Sequence, residues 1–161
     1  DRINLKNELE KIENFTLNKK KIDTNDILKI TNLSENYSIS ELVDSCLSKN
    51  QTKITKILNE NTFNSEDCIK ILRTFLIKLK RLIRLHEELK SNNQNIDLTV
   101  SSFKPPIFWK DKETVKKQIT SFNFKRTKNL ITKTNEIELL IKKNPQYSIN
   151  FTTNFIISHT K

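Results

Sequence analysis

Between residues 69 and 86, Ile69, Leu72, Phe75, Leu76, Leu79, Leu82 and Ile83 return every three or four positions, and at about 100° per residue they share one broad arc with His86. That period is a helix's. Ser65-Glu66-Asp67 offers cap chemistry at its start, and its early acids suit the positive end of a helix dipole, so the spacing predicts a long helix over about 66–90. Lys70, Arg73, Lys80, Arg81 and Arg84 occupy a neighbouring arc. Ile77 falls inside that basic arc, where one core has no use for it. Flanked by Arg73, Lys80 and Arg84, it is expected to meet another subunit.

The rest of the chain repeats the helical period in shorter pieces. An amphipathic helix is expected over 3–15, with Ile3, Leu5, Leu9, Ile12 and Phe15 near one face, and a short one behind the cap-forming Thr24-Asn25-Asp26. After a turn-rich interval over 32–36, Ser38 and Glu41 fit a capping box ahead of Ile39, Leu42, Val43, Cys46 and Leu47. Asn50-Gln51-Thr52 breaks the pattern, and Ile54, Ile57 and Leu58 rebuild it to near Asn61. Ser91 to Asn95 ends the long helix, and residues 96–100 read as a short helical turn. Pro105 and Pro106 then enforce a break. Asp111 is placed to cap a helix over about 112–122, and another runs over about 124–143 until Asn144-Pro145. Residues 147–158 carry Phe151, Phe155 and Ile156 at helical spacing, although Ile149, Phe151 and the threonine pair also permit a strand. Short connections favour antiparallel packing, so the expected class is an all-α bundle without internal repeat.

Composition removes several functions. None of the 161 residues is glycine, so the phosphate-cradling loops of nucleotide-binding proteins cannot form here. Cys46 and Cys68 form no CxxC motif, and His86 and His159 stand apart. Neither a zinc site, a disulfide framework nor a Cys/His nucleophile is suggested, and the thiols are expected to be buried and reduced. No cofactor is implied, no apolar run spans a bilayer, and the opening DRINLKNELEK is no signal peptide. A chain that begins at Asp1 reads as a piece of a longer one. With 29 basic against 19 acidic residues the formal net charge is +10, which favours anionic partners. Abundant Lys, Asn and Ile also fit the codon usage of an AT-rich genome, so the charge has two candidate causes.

Four strings occur in order: NELEKIENF at 7–15, ISELVDSCLSKN at 39–50, ILRTFLIKLKRLIRL at 71–85 and PPIFWK at 105–110. Together they resemble the C-terminal part of the delta subunit of the bacterial DNA polymerase III clamp loader. The absence of glycine, common in the collar turns of such proteins, is a departure from that pattern, as is Asn and Lys where relatives carry Ala, Leu and Arg. The resemblance implies the end of an AAA+-type lid over 1–38 and a helical collar over 39–161. It further implies a non-catalytic, cytoplasmic scaffold that joins the gamma or tau and delta-prime subunits to load the sliding clamp on primed DNA. Contact with the clamp itself would fall to a preceding N-terminal domain.

Two local expectations complete the picture. Phe103, Ile107, Phe108 and Trp109 are expected to pack under the bundle while the prolines turn the chain; the alternative is that Trp109 anchors a subunit interface. Lys142 and Lys143 end one helix and Tyr147 follows the turn, so these three are candidates for single-stranded DNA, with the alternative that the lysines suit the helix C-terminus and Tyr147 packs on Phe151. A general basic helical nucleic-acid-binding or adaptor domain is the competing reading of the whole chain.

Overall fold

The computed structural model describes residues 33–160, together with residues 9, 10, 12–14, 16, 17 and 23. The chain divides into two compact units, Asp1–Ser38 and Ile39–Lys161. In the first, residues 9, 10, 12–14 and 16 are helical, and the Thr16 hydroxyl donates to the Glu13 carbonyl at 2.6 Å. The short helix expected after Asp26 lies outside the described residues.

Among the described residues every regular element is helical: α1 Leu33–Leu47, α2 Gln51–Glu60, α3 Ser65–Ser91, α4 Ile96–Ser102, α5 Lys112–Ser121, α6 Phe124–Lys143 and α7 Ser148–Thr160, with single 3-10 turns at Trp109–Asp111 and Pro145–Tyr147. The last segment is thus helix and not strand. Helix α1 starts at Leu33, so Ser38 and Glu41 lie in its interior and not at a cap. Ser, Glu and Asn each disfavour helix by at most about 0.7 kcal/mol, too little to force a break at 34–36.

The caps themselves are mostly asparagines. Asn64, one residue ahead of the expected Ser65, accepts from the Asp67 N–H at 2.9 Å, and the Asp67 carboxylate accepts from the Asn64 N–H at 3.1 Å. Asn50, Asn95 and Asn123 start α2, α4 and α6 with the first of these bonds alone, each side chain accepting from the backbone N–H three residues on. Asp111 makes no side-chain cap bond, because it closes the 3-10 turn that leads into α5.

Helix α3 is the centre of the second unit. It packs most extensively along α6, with further contacts to α4, α5 and α7. Its buried line is Cys68, Ile71, Leu72, Phe75, Leu79, Leu82, Leu85, His86 and Leu89. Ile69, Leu76 and Ile83 are only half-buried, so the core lies rotated from the predicted arc toward Ile71 and Leu85. Phe75 meets Phe155 of α7 edge-on at 5.3 Å, and the His86 ring N–H donates to the Phe122 carbonyl at 2.6 Å, fixing the joint between α5 and α6. A polar tie joins three helices: Lys78 Nζ lies 2.5 Å from Asp44 Oδ2 and donates to Ser40 Oγ at 2.8 Å, while Gln118 Nε2 donates to Asp44 Oδ1 at 2.8 Å.

The proline corner is partly as expected. The Lys104–Pro105 bond is cis. Phe103 and Ile107 are buried, but Phe108 is 58% and Trp109 69% exposed, which overturns their packing under the bundle. The 3-10 turn at Trp109–Asp111 redirects the chain just past Ile107, so Phe103 and Ile107 face the core while the next two side chains face solvent. Phe108 and Trp109 lie against each other at 5.8 Å, and the Lys110 ammonium sits 5.3 Å from the Trp109 ring.

Candidate interaction surface

The face of α3 opposite its buried line carries the residues predicted as an interface. Ile77 is 70% exposed. Arg73 and Lys80 are exposed beside it. Arg73 reaches across to α6, with Nε 3.9 Å from Glu138 Oε1. Arg84 is anchored inward: its Nη2 donates to the Lys104 carbonyl at 2.8 Å, and its guanidinium lies 5.1 Å from the Phe103 ring. Arg84 therefore clamps the proline corner onto α3. Arg81 Nε is buried without a hydrogen-bond acceptor.

The second predicted set is split. Lys142 Nζ lies 2.7 Å from Glu138 Oε1, so the carboxylate that faces Arg73 also holds Lys142. One residue from each predicted set thus meets at an acid that sequence reasoning had not singled out. The i,i+4 spacing of Glu138 and Lys142 was a visible signal for half of this contact; Arg73 depends on how α3 and α6 align. Lys143 and Tyr147 are exposed, and Tyr147 stands edge-on to Phe151 at 6.1 Å.

Cations on this side of the bundle also gather on aromatic rings. Lys90 Nζ and Lys128 Nζ lie 5.2 and 4.9 Å from the Phe124 ring, a pairing across α3 and α6 that periodicity alone could not reveal.

Both cysteines are buried and free, and burial, the larger cause in each, pushes their thiol pKa values up. That keeps them protonated and poor nucleophiles. Cys68 lies beneath an apolar cleft of about 640 Å³ between α2, α3 and α7, walled by Ile54, Leu58, Phe63, Ile71 and Ile156. The His159 pKa is lowered, first by burial and then by the charges of Lys133 and Arg126, against its hydrogen bond to the Phe155 carbonyl. No group of three or more His, Cys, Asp or Glu side chains gathers among the described residues in a way that would hold a metal ion. No helix among them is long and apolar enough to cross a membrane.

Compared with known proteins, the chain matches no family model, no curated sequence and no solved structure.

Proposed function

We propose that this chain is a non-catalytic assembly module, and that its specific form is the one its motifs resemble: the lid end and collar of a clamp-loader delta subunit, joined to gamma or tau and delta-prime subunits around primed DNA. The observation that carries the reading is Ile77, exposed on the long helix between Arg73, Lys80 and Arg81. An apolar side chain ringed by arginine is the composition of protein interfaces, where Arg is enriched. Arg73 and Lys80 beside it are exposed, so that part of the face is available to a partner while the bundle stays folded.

Size-exclusion chromatography with purified gamma or tau and delta-prime subunits tests this. Co-elution in one assembly is expected, and it should be lost in Ile77→Asp, because a charge forced into an apolar contact is costly. A folded wild-type chain that stays apart from those subunits sinks the clamp-loader reading.

The competing reading is a basic nucleic-acid-binding domain, favoured by the formal charge of +10 and by the exposure of Lys143 and Tyr147. Base stacking on Tyr147 would be worth about 1–3 kcal/mol per base, and Tyr147→Ala would weaken single-stranded DNA binding with little change in its salt slope. Equal affinity in the two proteins removes Tyr147 from any DNA contact.

A further inference from the structure

Helices α3 and α6 leave an open groove of about 500 Å³ between them, lined by Lys80, Ile83 and Arg84 from one side and Lys128, Ile131 and Thr132 from the other. Ile83 and Ile131 are half-buried and form an apolar floor. Lys80, Arg84 and Lys128 stand around it, and no acidic side chain lines it. The cations are incompletely satisfied within the fold. Among the described residues, Lys80 has no ion-pair partner and Lys128 has only the Phe124 ring, while Arg84 has the Lys104 carbonyl and the Phe103 ring but no carboxylate.

We propose that this groove docks an acidic amphipathic segment of a partner protein. Its apolar side chains, repeating every three or four residues, would lie on Ile83 and Ile131, and its carboxylates would meet Lys80, Arg84 and Lys128. Charge complementarity selects the acidic partner and the floor selects the amphipathic one. A nucleic acid fits less well, since phosphates gain nothing from two isoleucines and no aromatic ring lines the groove for a base to stack on. The proposal rests on the reading of α3 as a contact surface, because Lys80 and Arg84 belong to both, and it adds the chemistry of the partner.

The test is fluorescence anisotropy of the 161-residue chain with a labelled helix-forming peptide that carries leucines at i, i+3, i+4 and i+7 and glutamates between them. A sister peptide with serine for leucine and a DNA duplex serve as comparisons. Saturable binding of the leucine peptide is expected, weakened about tenfold by Lys80→Glu with Lys128→Glu, since like charges across a contact repel. Thr132→Trp should weaken it as well, by filling the groove without changing its charge. Thermal melts establish that each variant is folded. The proposal is overturned by absent binding, by a serine peptide or duplex that binds as well as the leucine peptide, or by a folded Thr132→Trp that binds normally. The Ile77-dependent co-elution with loader subunits is a separate readout, so a failed groove and a failed assembly reading are told apart.

Discussion

Among the described residues, three non-glycine positions, Lys49, Asn93 and Gln94, hold positive φ angles of 56°, 51° and 61°. Each follows the end of a helix, where glycine usually sits, and in a chain without glycine other residues must take the left-handed geometry. At the end of α1 the Asn50 N–H bonds to the Ser45 carbonyl and the Lys49 N–H to that of Cys46, so the turn is held despite its side chain. Because a side chain costs about 1–2 kcal/mol in this region, Lys49→Gly should raise the unfolding free energy by about 1 kcal/mol in urea titration. No gain would mean that the extra conformational entropy glycine gives the unfolded chain offsets the relief. His159 gives a second prediction. Its pKa is lowered in the fold, so below about 6.5 the unfolded chain takes up a proton that the folded site resists. Its contribution to stability is whole above that pH and shrinks as the pH falls through the lowered folded value. The urea midpoint should therefore drop between about pH 7 and 5, and His159→Gln should flatten that part of the fall. An identical profile in the variant would remove His159 as its source.

Helix α3 shows how much one element discloses. Its existence, length and basic face are readable from spacing alone, since a period near 3.6 and the charge distribution are local properties. Its rotation is not. The sequence arc placed Ile69, Leu76 and Ile83 with the core, but α5, α6 and α7 pack around a line that includes Cys68, Ile71, Leu85 and Leu89, and only their positions decide which edge of a broad apolar arc is covered. Two substitutions separate the faces. Leu82→Ala should destabilise by about 2–5 kcal/mol, because a fully buried leucine leaves a cavity. Ile77→Asp should stay within about 0.5 kcal/mol, as expected of a surface site. Comparable losses in chemical denaturation would place Ile77 in the core.

In the second unit, helices far apart in sequence are joined by polar ties as well as by apolar packing. Asp44 is held by Lys78, 34 residues away, and by Gln118, 74 residues away. Asp44→Ala should cost about 1–3 kcal/mol, since it leaves a half-buried ammonium and a buried amide without their acceptor. Lys78→Met in that background should recover part of the loss; further destabilisation would show that the bond from Lys78 to Ser40 outweighs the cost of its unpaired charge. Such ties leave no trace in local residue spacing. The all-helical class, most helix spans in the second unit and the lack of glycine-dependent phosphate loops follow from local spacing and residue type, because periodicity, capping chemistry and backbone requirements act over a few neighbouring residues. That Trp109 faces solvent, that Arg73 and Lys142 share Glu138, and that Lys80 and Lys128 flank one groove are consequences of the packed bundle. Those outcomes depend on the alignment of α3 with α6 and on the path of the proline corner, which are set by long-range packing and leave no local period in the chain.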